Sequence, residues 1–236
     1  MILMLHSKGG IYRRYIKRPM DFLLSLTALV ILSPILLLIA ILIKLNLGSP
    51  VIFRQKRPGL NEEIFTLYKF RTMTNSRNEN GELLPDDIRI TKLGKFLRDT
   101  SLDELPELIN ILKGDLSIVG PRPQLVQDIV FMTLKQRKRC EVTPGLTGWA
   151  QIHGRNSVTW EEKLEMDLEY IDNITFIKDW KIIFLTVIKV LEREGVSEEG
   201  MITAENLGDY LLRIGQIDEK TYLALIEKSR EIENIL

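Results

Sequence analysis

FLLSLTALVILSPILLLIAILI, residues 22–43, contains no charged side chain. A helix needs roughly 20 apolar residues to cross the hydrocarbon of a bilayer, so this run is long enough to lie in lipid. A cleaved secretory signal fits it poorly. Such a signal has an apolar core of roughly 7–15 residues before a small-residue cleavage site, whereas this run leads into Lys44 and Leu45. Arg13, Arg14, Lys17 and Arg18 precede the run, and Lys44, Arg54, Lys56 and Arg57 follow it. Positive residues beside a membrane segment favour the cytoplasm, so a straight span would strand one cluster on the wrong side. Ser33 and Pro34 sit in mid-run. There the proline removes a backbone donor, and the serine hydroxyl can satisfy the freed carbonyl. On membrane rules alone two readings stand level: a spanning helix that tolerates its proline, and a re-entrant helix–break–helix that enters and leaves by one face.

Outside this run the chain is balanced. Lys plus Arg and Asp plus Glu number 32 each, which gives no overall reason to expect a nucleic-acid partner. The basic run at residues 135–139 lacks interleaved aromatics and reads as a helix end near anionic lipid or a solvated face. The lone Cys140 fits a reducing cytoplasm, and with only His6 and His153 present a histidine-rich metal site is excluded.

After the turn signal Gly48-Ser49-Pro50, extended pieces are expected at residues 51–54 and 64–73, forming a small hairpin. Residues 74–87 read as a surface loop that could serve as a lid. Helical patterns cover residues 92–98, 102–112 and 124–139, with a strand-like DLSIVG before the last. A charged helix follows at residues 160–173. The apolar helix at 180–191 is too short to span and suits either an interfacial position or a core. The tail carries two amphipathic helices whose stripes must dock on the domain or pair with another copy.

Chemistry concentrates at Ser101-Leu102-Asp103-Glu104. Ser-x-x-Glu before an apolar run is a capping box, and taken alone that reading is the better one. Pro106 falls just beyond the first turn, where it disturbs a helix. A carboxylate at such a helix start should remain ionised with a lowered pKa, and so act as a nucleophile. Helix starts also attract phosphate, and Lys69, Arg71, Arg98, Arg122 and Arg155 are candidate cations to hold it.

YKFRTM, LRDTSLDELPELINILKGDLSIVGPRP and TPGLTGWAQIHGRN, in that order, resemble the motifs of the bacterial sugar transferases, the monotopic phosphoglycosyl transferases. The likeness runs from about Ile11 to Glu194. It implies a re-entrant helix broken at Ser33-Pro34, which tips the balance between the two membrane readings. It implies that Asp103 attacks the β-phosphorus of a UDP-sugar, releasing UMP, and that a polyprenyl phosphate then takes the phosphosugar. Mg2+ beside Asp103 is implied, as are Lys69, Arg98, Arg122 and Arg155 as site residues. Glu104 would move a proton, orient Asp103 or ligate the metal. The glycine-rich segment with Gln151 would bind the nucleotide sugar, with Trp149 or His153 offering flat surfaces or Trp149 serving as core. The family more often has Asn where this chain has His153.

The expected fold is α+β and mostly helical: a basic N-terminus (1–20), a re-entrant membrane hairpin (21–46), a compact cytoplasmic catalytic domain with short strands and interfacial helices (47–195), and a helical tail (196–236). The expected location is the cytoplasmic face of a bacterial inner membrane. Expected partners are UDP-sugar, polyprenyl phosphate, membrane lipid and a second copy through the tail, with no nucleic acid. A metal-dependent sugar transferase is distinguished by release of UDP instead of UMP. A non-catalytic membrane scaffold is distinguished by binding without turnover.

Overall fold

The computed structural model describes residues 10–154, 158–192 and 205–235. A π-helical turn, Tyr12–Ile16, runs directly into α1, Lys17–Leu47. The expected break is thus a proline inside one continuous helix. Pro34 has no N–H to give the Val30 carbonyl one turn back, and the Ser33 hydroxyl donates to that carbonyl instead, at 2.8 Å. The dipeptide therefore repairs the helix it would otherwise interrupt.

Both ends of α1 are fastened to the same body. At its start Lys17 pairs with Asp179, and the Tyr12 hydroxyl donates to that carboxylate at 2.7 Å. Arg18 donates to the Ile111 and Leu112 carbonyls, while buried Asp21 accepts from Ser117 Oγ at 2.6 Å and Ile118 N at 3.2 Å. At its other end Ile39 and Ile43 are buried with Phe70 and Leu97. Between these anchors Val30, Ile31, Leu37 and Leu38 are exposed, and only 11% of the most apolar stretch is buried. Among the described residues this is the one helix long and apolar enough to cross a membrane.

β1 (Ile52–Pro58) and β2 (Ile64–Phe70) form the expected antiparallel hairpin, in register from Ile52 opposite Phe70 to Pro58 opposite Ile64. The segment 74–87 folds on Asn78, whose Oδ1 accepts from Asn80 N and Glu82 N. It ends in the single turn α2, Asp86–Arg89. α3 (Lys92–Asp99) approaches the end of β2 so closely that a Cβ on Gly94 would lie 1.9 Å from the Thr72 carbonyl oxygen. A 3-10 turn, Leu102–Glu104, and then α4, Glu107–Lys113, complete this half.

β3 (Ser117–Val119) pairs in parallel with β4 (Gly145–Thr147), a strand that the glycine-rich stretch did not announce. The connection between them corrects the single helix expected over 124–139. It contains α5 (Val126–Ile129) and α6 (Leu134–Arg137), separated where Phe131 and Met132 turn into the core. Thr133 starts the second helix by accepting from Gln136 N, while Gln136 Oε1 accepts from Thr133 N. The basic run is not simply a solvated or lipid-facing patch. Arg139 is buried against Asp167 at 2.6 Å and Arg137 pairs with Glu62, leaving Lys135 and Lys138 exposed.

α7 (Trp149–His153), α8 (Trp160–Asp172) and α9 (Phe176–Glu192) follow. α9 begins four residues earlier than the apolar run suggested. It buries Asp179 and Ile182, but Ile177, Phe184 and Leu191 stand exposed at seven-residue spacing, forming one uncovered apolar stripe. In the tail, α10 (Leu207–Arg213) and α11 (Glu219–Ile235) dock on the domain. Leu207 is buried with Ile129, Phe131, Trp160 and Leu164.

Candidate active site

Lys69 near the end of β2 and Arg71 just beyond it are two residues apart, yet their side chains do different work. Arg71 Nε donates to the Met73 carbonyl at 2.9 Å, and its Nη1 donates to the carbonyls of Leu47 and Ser49 at 3.2 and 3.1 Å. This residue ties the strand to the exit of α1. Lys69 Nζ instead lies 2.7 Å from Glu104 Oε1 and 3.3 Å from Glu107 Oε1.

The irregular start before α4 presents the acids. Ser101 adopts a left-handed conformation, φ 55°, and its side chain makes no cap bond, so the capping box does not form. The 3-10 turn buries Asp103, leaving 8% of it exposed. Pro106 then takes the N-cap position of α4, where a missing N–H costs little. With no regular helix beginning at Asp103, the expectation of a lowered pKa fails. Burial pushes its carboxyl up to about 6, the charge of Glu104 adds to this, and Lys69, Arg98 and Arg122 pull against it. Glu104 goes the opposite way: burial alone would raise it, but Arg122 and Lys69 outweigh burial and hold it well below the usual carboxylate range.

Arg122 grips Glu104 with both terminal nitrogens, and its backbone is held residue by residue. The Pro121 carbonyl accepts from Gly145 N at 2.9 Å, the Arg122 carbonyl from buried Arg139 at 2.6 Å, and the Pro123 carbonyl from Arg57 at 3.1 Å. Arg98 reaches from α3 to donate to Thr72 Oγ1 at 3.1 Å. Gln151 brings the α7 side into the same cleft, and both polar atoms of its amide are buried without a hydrogen-bond partner. Trp149 and His153 do not line that cleft. Their ring centres lie 4.1 Å apart with the planes tilted by 56°, and Trp149 Nε1 donates to Glu169. Arg155 lies outside the described residues.

Sequence reasoning missed two members. Glu107 is 1% exposed, its Oε1 lies 3.3 Å from Lys69 Nζ, and burial pushes it up to about 7, with Lys69 opposing and Glu104 adding. Three acids in five positions, Asp103, Glu104 and Glu107, were the available signal. Arg57 was grouped with the membrane-flanking charges, yet it lines the cleft, and burial beside Arg122 lowers it to about 10.

The cleft holds about 1600 Å³ and also takes in Phe53, Ile183, Val187, Glu205 and Asn206. Among the described residues no three His, Cys, Asp or Glu side chains converge as a metal cage. Magnesium does not require one, since it is commonly held by one or two carboxylates together with substrate phosphates. Asp103 fits that donor role, and Glu104 already faces two cations.

A buried acid close to Lys69, Arg98 and Arg122 in an open cleft is an arrangement suited to binding an anion. The chain belongs to the bacterial sugar transferase family, whose model matches residues 12–193. It is 52% identical over 190 residues to the uncharacterized sugar transferase EpsL of Bacillus subtilis, covering 80% of this chain and 94% of that protein. It is 43% identical over 186 residues to the UDP-glucose:undecaprenyl-phosphate glucose-1-phosphate transferase of Escherichia coli, covering 75% of this chain but 40% of that protein. It is 38% identical over 189 residues to the UDP-N-acetylgalactosamine-undecaprenyl-phosphate N-acetylgalactosaminephosphotransferase of Aeromonas hydrophila, covering 75% of this chain and 44% of that one. The chain thus spans less than half the length of the Escherichia coli and Aeromonas hydrophila relatives.

Proposed function

We propose that this chain transfers a phosphosugar from a UDP-sugar to a polyprenyl phosphate through a covalent intermediate on Asp103. The observation that carries the reading is a buried acid lining the cleft, near enough to Lys69, Arg98 and Arg122 to feel their charge, beside a second acid already paired with two of them. An Asp103 carboxylate oxygen attacks the β-phosphorus, the bond from that phosphorus to the bridging oxygen breaks, and UMP leaves with the oxygen. An oxygen of the polyprenyl phosphate then attacks the same phosphorus, freeing Asp103 and giving a polyprenyl diphosphosugar. The raised pKa of Asp103 makes its carboxylate more basic than an ordinary aspartate, which favours attack once it is ionised.

Lys69, Arg98 and Arg122 would neutralise the diphosphate, and Glu104 keeps Lys69 and Arg122 in place before substrate arrives. Gln151, with unpartnered donor and acceptor atoms, suits a polar group of the nucleotide sugar. Magnesium held by Asp103 and the phosphates would supply further charge neutralisation. The names of the Escherichia coli and Aeromonas hydrophila relatives support the reaction class and leave the sugar open.

The enzyme would sit on the cytoplasmic face of a bacterial inner membrane. A bend at Pro34 would let the exposed middle of α1 dip into lipid and return, and the uncovered stripe of α9 would rest at the interface. Fastening of both α1 ends to one domain supports this re-entrant reading. The deciding experiment is product analysis with a panel of UDP-sugars and undecaprenyl phosphate. UMP and a mass adduct of one phosphosugar on Asp103 are expected; UDP release, or no adduct under conditions of turnover, would overturn the scheme.

A further inference from the structure

The helices α10 and α11 lie beyond the family match, which ends at residue 193, yet Glu205 and Asn206 line the cleft that contains Asp103. The next residue ties this segment to the backbone that carries Arg122. Asp128 is 2% exposed, and each of its oxygens takes one main-chain donor: Oδ1 accepts from Leu207 N and Oδ2 from Leu125 N, both at 3.0 Å. Leu125 closes the segment 121–125, whose first three carbonyls are pinned by Gly145, Arg139 and Arg57. Asp128 is therefore the fastening at the segment's far end, and the tail supplies half of its hydrogen bonds.

Two further contacts fix where the tail enters. Trp160 Nε1 donates to the Glu205 carbonyl at 3.1 Å. A Cβ on Gly208 would meet the Phe131 ring at 2.6 Å, so that helix start and ring are in direct contact. An amphipathic tail needing only cover for its apolar stripe has no requirement for a buried carboxylate that also anchors an active-site segment.

We infer that the C-terminal helix pair is a working part of the donor site, in which the Leu207 N–H, through Asp128, is a positioning group for Arg122. The inference rests on the proposed role of Arg122 against the diphosphate. When Leu207 N no longer donates, Asp128 loses one of its two partners and is free to turn. Leu125 and the residues behind it are then held less firmly, and Arg122 meets the donor phosphates in the wrong place. The effect falls on donor binding, because the tail reaches Arg122 and has no hydrogen bond to Asp103 among those described.

The test compares Leu207→Pro with Leu207→Ala in the full chain. Both variants remove the buried leucine side chain, but only proline removes the N–H. Leu207 is the first residue of α10, where proline is tolerated, and Asn206 already has the extended backbone that a following proline requires. Leu207→Pro is expected to raise the UDP-sugar KM about two- to tenfold above that of Leu207→Ala, the range for loss of one net hydrogen bond, at similar Tm and with kcat little changed. Asp128→Asn, which replaces one acceptor by a donor facing an N–H, is expected to reproduce the KM effect. Equal donor KM for Leu207→Pro and Leu207→Ala, or a KM rise that only follows loss of folded protein, would overturn the positioning role. An Arg122→Ala variant with wild-type donor KM would instead remove the reading on which it rests.

Discussion

Asp103 and Glu104 are chain neighbours whose acidities are driven apart: burial lifts Asp103 to about 6, while Arg122 and Lys69 overcome burial to hold Glu104 far below its ordinary value. Pairs separated in this way divide chemical labour. Glu104 stays anionic throughout the working range and organises the cations, leaving Asp103 to react. Asp103→Asn should lower UMP release by more than about a thousandfold, as loss of a nucleophile does elsewhere. Glu104→Gln should keep measurable turnover, with its main effect on donor KM. Comparable loss in the two variants, measured as single-turnover UMP release, would contradict this division.

The acid limb of the pH profile follows from the same group. Attack requires the carboxylate, so a raised pKa moves the loss of activity upward in pH. The kcat/KM for the UDP-sugar, which reports the free enzyme, should be half-maximal near pH 6 and fall tenfold per unit below it. A half-maximal point near pH 4, where an ordinary aspartate titrates, would show that burial does not govern Asp103 in the working enzyme.

Glu107 makes a stability prediction of the opposite sense to the usual carboxylate. Its pKa is raised on folding, from 4.5 to about 7, so the folded chain holds the proton more tightly than the unfolded one. That contribution favours folding at low pH and is lost as pH rises from about 4.5 through 7. Glu107→Gln keeps the shape without the charge. Its Tm relative to wild type should improve steadily between pH 5 and pH 8; a flat difference across that range would argue against a buried titrating group.

The Arg139–Asp167 pair is nearly sealed from water, and Arg139 also holds the Arg122 carbonyl. Removing one partner leaves a buried charge alone, which typically costs about 3–5 kcal/mol. Asp167→Ala should therefore lower stability by about that amount in urea titration. A loss below about 1 kcal/mol would mean that water or another group takes over the pairing.

The membrane reading is tested by single cysteines at Tyr15 and Asn46 in a Cys140→Ser background. Both should react with an impermeant thiol reagent from the cytoplasmic side of oriented vesicles. Reaction of only one from that side would establish a spanning helix.

Much of the site was legible because its residues are concentrated in short motifs. Asp103, Glu104, Lys69, Arg98 and Arg122 converge from four separate segments, as phosphate chemistry suggested. The β1–β2 hairpin, α3 and α8 were legible from alternation and periodicity. What failed was whatever depended on tertiary contact. Arg71 matches Lys69 in charge and lies two residues on, but only the fold reveals the carbonyls of Leu47 and Ser49 around it. The basic run containing Arg139 concealed a buried pair because its partner Asp167 is 28 positions away. The lowered pKa expected for Asp103 assumed a regular helix start, and the 3-10 turn with Pro106 replaced it with burial. Ser33 and Pro34 gave the chemistry of the repair correctly, though not the unbroken helix that results.

Lys69 in β2 and Arg71 just past its end are two residues apart, one reaching Glu104 beside Asp103 and the other holding the exit of α1. Along an extended strand that spacing is about 7 Å. In the membrane-seated enzyme proposed above, the strand would act as a depth gauge. The level at which α1 settles in lipid sets the height of the reacting carboxylate above the headgroups. A lipid phosphate would then meet Asp103 at a height fixed by the protein.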